Sequence, residues 1–179
     1  MTEEQILQLA YDEGFAAAAM VDTAQIVFDP SFRPYCEENL CGQYGVNYSC
    51  PPDCGSPEAM RQKLTAHRRA VMLQTIWEIA DYTDTAAIKQ AKGAHNAAAL
   101  RLADTLRKAG HPGILVGASG CALCSPCALR EGKPCRFPDR RYSCMSAYCI
   151  FVKKLADRCG MEYTCGDGLL GFFGLYAFD

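Results

Sequence analysis

The sequence has no excess of either charge, no long apolar run and no familiar catalytic signature. Lys plus Arg number 18 and Asp plus Glu 20, a formal net charge of −2. A general nucleic-acid binder needs a basic face for phosphate, so no nucleic-acid partner is expected. The longest apolar run, Phe15 to Val21, is far too short to span a bilayer, and no membrane partner is expected either. The opening stretch MTEEQILQLAYDEGF lacks the basic-then-apolar order of a secretory leader, which points to a cytoplasmic protein. Repeats are absent, as are low-complexity tracts beyond short Ala runs. No Ser-His-Asp set or Walker pattern is present. With 50% hydrophobic and 21% charged residues, a disordered chain is excluded.

What the sequence has in plenty is cysteine, 12 of 179 residues. Disulfides, structural metal and redox centres are the usual causes of such density. Disulfides are rare in a reducing cytosol, so thiolates as metal ligands become the leading reading. Asn47-Tyr48-Ser49 matches the glycosylation sequon, but a cytosolic chain does not meet that machinery.

The length suits one domain, taken as residues 1–179. Residues 3 to 13 read as a helix, with a capping box from Thr2 and Gln5 and a stop at Gly14. Phe15 to Val21 reads as a buried strand. Residues 30 to 57 hold five prolines and four cysteines, so regular structure is not expected there. A short helix over 57–67, a strand over 70–79, a long helix over 85–109 and a strand over 113–117 follow. Asp84 or Thr83 caps the long helix and Gly110 stops it. A second cysteine-rich loop covers 120–142. The spacing of Met145, Tyr148, Val152, Leu155 and Cys159 predicts a helix over 145–159. Strands over 161–164 and 172–178 would close the chain as a pair. This order predicts an α/β or α+β domain, a central sheet flanked by helices, with two cysteine-rich metal-binding loops.

The sharper cysteine pattern is Cys121-Ala-Leu-Cys124-Ser-Pro-Cys127, completed by Cys135. Thiolates at intervals of three wrap a loop around a compact inorganic centre, and bacterial ferredoxins open with the same spacing. Zinc favours two Cys-x-x-Cys pairs separated by a longer stretch, so an iron–sulfur cluster ranks ahead of zinc. Four unconnected buried cysteines would need a core, and this segment of Pro, Gly, Ser, Arg and Lys offers none. The second pattern is Cys36-x4-Cys41-x8-Cys50-x3-Cys54, which fits no ferredoxin template. Pro51 and Pro52 hold Cys50 on a rigid turn, and Gly42, Gly45 and Gly55 allow close approach to a bulky centre. The plain alternative is a loop that packs its cysteines without metal.

Of the remaining cysteines, Cys149 and Cys159 are expected in the core, Cys144 as an accessory ligand, and Cys165 is left open. Gly166-x-Gly168-x-x-Gly171 matches a dinucleotide fingerprint as a string, but no strand–helix–strand unit follows, so a turn is expected. The Cys121–Cys124 pair opens no helix, which argues against a thioredoxin-type motif. His95 falls on the apolar face of the long helix and reads as a core histidine. The clusters His67-Arg68-Arg69 and Arg136–Arg141 are too small for a nucleic-acid face.

Two longer stretches carry a resemblance. Arg33-Pro34-Tyr35-Cys36, Asn39, Cys41-Gly42, Tyr44-Gly45, Asn47 and Cys50-Pro51-Pro52 form the first. Cys121-x-Leu123-Cys124-x-x-Cys127-Ala128, Pro134-Cys135-Arg136-x-Pro138 and Met145-x-Ala147-Tyr148-x-Ile150-x-Val152 form the second. Together they resemble an uncharacterised family of predicted cysteine-rich metal-binding proteins, a domain of unknown function expected mostly in anaerobic bacteria and methanogenic archaea. The resemblance implies metal or iron–sulfur binding and no assigned reaction. In the family pattern Ser stands at position 144 and Gly at position 149, and acidic residues often stand at 146 and 151, where this chain has Ser146 and Phe151. The resemblance implies three firm ligands in the first motif, Cys36, Cys41 and Cys50. The place of Cys54 is then open to an open iron site or to a ligand such as Cys144.

The reading is therefore a cytoplasmic protein binding one or two iron–sulfur clusters, of the 4Fe–4S kind, for electron transfer with an unidentified redox protein. The expected ligands are Cys36, Cys41, Cys50, Cys54, Cys121, Cys124, Cys127 and Cys135. A zinc-stabilised interaction module and a cluster enzyme with an open iron site are the alternatives. If electrons pass between centres, Cys50 and Cys124 should approach, because both loops follow strands and would emerge at one sheet end. Loss of metal should disorder both loops, with cleavage near Asn47 and Gly132, and spare the sheet.

Overall fold

The computed structural model describes residues 1–179. Thr2 opens helix α1 (Glu3–Asp12): its hydroxyl accepts the Gln5 amide at 3.2 Å while the Gln5 side chain accepts the Thr2 amide at 2.9 Å. Gly14, at φ 94°, turns the chain into β1 (Ala17–Asp22). A short helix α2 (Arg33–Glu37) lies within the first cysteine segment, where no regular element was expected. Then come α3 (Pro57–Thr65), β2 (Arg69–Glu78) and α4 (Thr85–Lys108), whose N-cap Asp84 accepts the Ala87 amide at 3.0 Å. Strand β3 (Gly113–Gly117), the two-residue β4 (Ser143–Cys144), α5 (Val152–Arg158) and β5 (Leu169–Phe178) complete the chain.

The sheet runs β1-β2-β5-β3-β4. Its first three pairings are antiparallel and β3–β4 is parallel. A mixed sheet of this kind makes the fold α+β. Alternation along the strands divides the core in two. Ala70 and Met72 of β2 and Phe173, Leu175 and Ala177 of β5 pack with Met60 and Leu64 of α3 and Leu155 of α5. Val71, Leu73, Tyr176 and Phe178 point the other way, onto Ile6 of α1 and Leu102 and Leu106 of α4. No helix is long and apolar enough to cross a membrane.

Two expectations fail. The helix predicted over 145–159 exists only from Val152: Cys149 takes a left-handed backbone (φ 54°) and Ile150 bridges Phe28, which takes that stretch out of helical register. Met145 and Tyr148 are nonetheless buried, so their apolar spacing reported burial and not a helix. The strand predicted over 161–164 is absent. Met161 closes the end of α5, its amide bonding Ala156 O at 2.9 Å, and both edges of β2 are already taken by β1 and β5. The last strand has no such partner at its end either, because β5 inserts between β2 and β3.

Candidate metal centre

The two cysteine segments meet at the C-terminal end of β3. Asn96 of α4 holds the chain as it leaves that strand, accepting the Ala118 amide at 2.8 Å and donating to Ser119 Oγ at 2.8 Å. At Gly120 the second segment touches the first: a Cβ there would sit 3.0 Å from Cys50 Sγ, so glycine permits the approach. The next residue is clamped through both its peptide groups. The Cys121 amide donates to Ser49 Oγ at 2.9 Å, and its carbonyl accepts from Asn47 Nδ2 at 3.0 Å. Asn47 and Ser49 are themselves buried and bonded to each other at 2.9 Å. Further out, Tyr48 OH donates to Lys133 O at 2.9 Å and Arg141 lies over the Tyr48 ring at 5.7 Å.

The segments meet, but not because their parent strands share a direction. β1 and β3 run antiparallel through β2 and β5, so their C-termini lie at opposite ends of the sheet. The first segment is long enough to travel back, and β-bridge pairing of Phe28 with Ile150 starts it along the face covered by α3 and α5.

In the first segment Cys36, Cys41, Cys50 and Cys54 are joined by Cys144 of β4. Burial raises the Cys36 thiol to about 11, with Cys144, Cys149 and Cys41 adding to the rise and Arg33 opposing it. Burial likewise raises Cys50 to about 12, against a hydrogen bond from Ser49, with Cys144, Cys41 and Cys54 adding to it. Burial raises Cys54, and it raises Cys144 against amide hydrogen bonds to its sulfur. No three Cys, His, Asp or Glu side chains of the chain converge as tightly as ligands of one ion.

Arg33 sits among them. It is 9% exposed and donates to Gly55 O at 2.8 Å and Ala147 O at 2.9 Å, and its Nε has no partner. None of the ion pairs of the fold includes it. A guanidinium keeps its charge in a protein, and a buried charge needs a counter-charge. The groups whose charge it meets are the thiols of Cys36, Cys54 and Cys149. Neutral thiols leave that charge uncompensated. A bound thiolate centre, net negative, supplies what is missing, so this donor set fits a metal–thiolate group.

The second segment is looser. Cys121 is raised by burial, opposed by amide hydrogen bonds and increased by its neighbours Cys124 and Cys135. Cys127 stands at the start of the 3₁₀ turn Ala128–Glu131. Arg136 lies beside the Cys124 sulfur and donates to Pro126 O and Glu131 Oε2, each at 3.0 Å.

The other sequence candidates fall away from this place. His95 is fully buried, its Nδ1 2.8 Å from Thr75 Oγ1, and burial lowers its pKa to about 4. Gly166 and Gly168 take left-handed turns, as a turn requires. Cys149 and Cys159 pack in the core, and Cys165 is half-buried beside Gln74 at 3.6 Å. An open groove lined by Asp22, Arg68, Arg69 and Asp179 lies at the other end of the sheet, and no cysteine lines it. Sequence reasoning missed Arg33 and the Asn47–Ser49 clamp. An arginine before a proline in a cysteine loop, and a sequon beside Cys50, were the signals available.

The profile of the predicted metal-binding protein family DUF2284, a domain of unknown function, matches residues 19–176. No curated protein and no solved structure matches the chain. With nearly its whole length matched, the chain belongs to that family of predicted metal-binding proteins.

Proposed function

We propose that this family member is a cytoplasmic iron–sulfur protein with one cluster per cysteine segment, passing electrons to or from a redox partner protein. The observation that carries it is the clamp of Asn47 and Ser49 on Cys121, which draws the two thiol groups to one strand end. Two centres fixed side by side suit transfer between them, and Cys-x-x-Cys-x-x-Cys spacing in the second segment favours a cluster over zinc. The expected ligands are Cys36, Cys41, Cys50 and Cys54 for one centre and Cys121, Cys124, Cys127 and Cys135 for the other. An iron–sulfur centre supplies one-electron chemistry when bound. This chain's residues supply thiolates, a buried cation at Arg33 and amide donors to sulfur.

Anaerobic purification with iron, sulfide and zinc analysis and visible absorption tests the reading. Iron and sulfide in equal amounts with a brown colour support it. Zinc in a colourless protein after strictly anaerobic handling replaces it by a structural zinc module. An apo protein that takes up neither metal refutes both.

A further inference from the structure

The two cysteine segments carry opposite charge. Residues 120–142 hold Arg130, Lys133, Arg136, Arg140 and Arg141 against Glu131 and Asp139, a net charge of +3 in a chain whose total is −2. Residues 30–57 hold Arg33 against Glu37, Glu38 and Asp53, a net charge of −2. At the surface the contrast is sharper than the count, because Arg33 is buried while the three carboxylates are exposed. No ion pair takes up any of the three. Ligation of a like centre adds equal negative charge to both segments and leaves the contrast standing.

On the second segment the ion pairs leave cations over. Lys133 and Arg136 share a single carboxylate, Glu131, at 3.0 Å each, and Arg140 is matched by Asp104. Arg130 and Arg141 belong to no ion pair, and of the segment's carboxylates Asp139 alone stands outside one. The cations are tied into one face: the Lys133 carbonyl accepts the Tyr48 hydroxyl, and Arg141 lies over that same ring. They also stand next to the thiols. The Arg130 amide donates to Cys127 O and Arg136 donates to Pro126 O, both at 3.0 Å, and Cys121, Cys124, Cys127 and Cys135 are all partly exposed. Phe137, 38% exposed, belongs to this face, since its carbonyl accepts the amides of Arg140 and Arg141 at 3.1 and 2.8 Å. Aromatic and arginine side chains are the groups in which protein contact faces are enriched. The first segment exposes Tyr35 and Leu40 as well, but beside Glu37 and Glu38, so a partner drawn to one segment is repelled by the other.

We infer that the second cysteine segment is the docking face for the redox partner, and that this partner is a protein presenting carboxylates around its own redox group. The inference rests on the electron-transfer reading of the protein. Opposite charges on the two rims steer the encounter and set its rate and its dependence on salt.

The test uses the full chain, reconstituted anaerobically with ferrous iron and sulfide and then reduced. Stopped flow follows its oxidation by anionic ferricyanide and, separately, by cationic hexaammineruthenium(III), each of which takes one electron and breaks no bond. A cationic exit makes the ferricyanide rate fall as salt is raised, and the ruthenium rate rise, because salt screens attraction and repulsion alike. The net charge of the chain predicts the reverse of both slopes. Replacing Arg130→Gln together with Lys133→Gln should slow ferricyanide on the order of tenfold at low salt. Lys153→Gln together with Arg158→Gln, the same change of charge on α5, should leave the rate within about twofold. Decaglutamate, standing in for the acidic partner, should slow ferricyanide in the wild type and not in the Arg130/Lys133 variant. Reversed salt slopes overturn the inference, as do equal effects of the two double variants. It falls too if a deoxynucleotide decamer competes better than decaglutamate, which would make the ligand a phosphate polymer. A salt-sensitive dimer of the loaded chain in sedimentation, joining the acidic segment of one copy to the basic segment of another, also overturns it. A chain that takes up no iron and sulfide overturns the functional reading and this inference together, whereas a loaded chain with the wrong salt slopes overturns the inference alone.

Discussion

Between residues 30 and 56 Cys50 is buried and Cys54 packs against the core while Cys41 is exposed, and a buried arginine ties the loop to residues 55 and 147. Between residues 120 and 142 the cysteines are all partly exposed, and the arginine that reaches them is a surface residue bonded to its own segment. The irregularly spaced set is tied down by a buried arginine bonded to a distant segment, whereas the regularly spaced set is anchored chiefly at its start, through Cys121 and Leu123. Local spacing encodes a centre that a loop wraps alone. A centre assembled from distant segments leaves only scattered cysteines and one buried charge.

The comparison can be broken in several ways, beginning with its common support. Leu102→Ala in α4 should cost about 2–5 kcal/mol by denaturant unfolding of the metal-free protein, since Leu102 is fully buried. Both cysteine segments should lose protection together in that variant. Arg33→Ala should cost about 2–3 kcal/mol, because it strands two carbonyls that a charged donor satisfied. Arg33→Lys should not restore the loss, as one ammonium cannot reach both carbonyls in the same fork. A loss as small as that of a surface substitution would show that the first segment is no better integrated than the second.

The pH dependence follows with a smaller effect. Cys36 and Cys50 rise from an ordinary 9.0 to about 11 and about 12 on folding. An acid whose folded value is raised contributes its full stability below the unfolded value, and that contribution is lost as pH climbs toward the folded one. Metal-free protein should therefore hold its stability up to about pH 9 and lose it progressively to about pH 12, with Tyr142 and Tyr176, each raised to about 12, acting in the same direction. Metal-loaded protein has already released the thiol protons and should lack the thiol part of this slope, and its metal affinity should fall as pH falls. Identical profiles for the two forms would refute ligation by Cys36 and Cys50.

The smallest effect belongs to the second segment. Arg136→Ala should leave the unfolding midpoint of the metal-free protein unchanged while altering the reactivity of Cys124. Limited proteolysis of the metal-free form should cut near Leu40, 89% exposed, and near Gly132. Asn47, a target suggested by loop composition, is 4% exposed and bonded to Cys121, so it should resist.

Elements with local signals were legible. The capping box at Thr2, Asp84 before the long helix and the five residues of β3 all follow from residues adjacent in sequence. Met145–Cys149 misled because Met145 and Tyr148 are buried at a helix-like interval while the backbone follows a turn. Cys149 holds a left-handed backbone that glycine would take without strain. At the candidate centre the cysteines of each segment could be grouped by spacing. The role of Arg33 could not, because its partners at Gly55 and Ala147 lie 22 and 114 residues away.

The place of β5 sets a timetable for assembly. It follows both cysteine segments in the chain, yet it lies between β2 and β3 and gives β3 its antiparallel partner. A chain emerging from the ribosome shows all the thiols of both segments before the strand that seats β3 has been made. The Asn47–Ser49 clamp closes on Cys121 just beyond β3, so it has no fixed target until then. The joining of the two cysteine segments is thus a late event, following synthesis of residues 169–178.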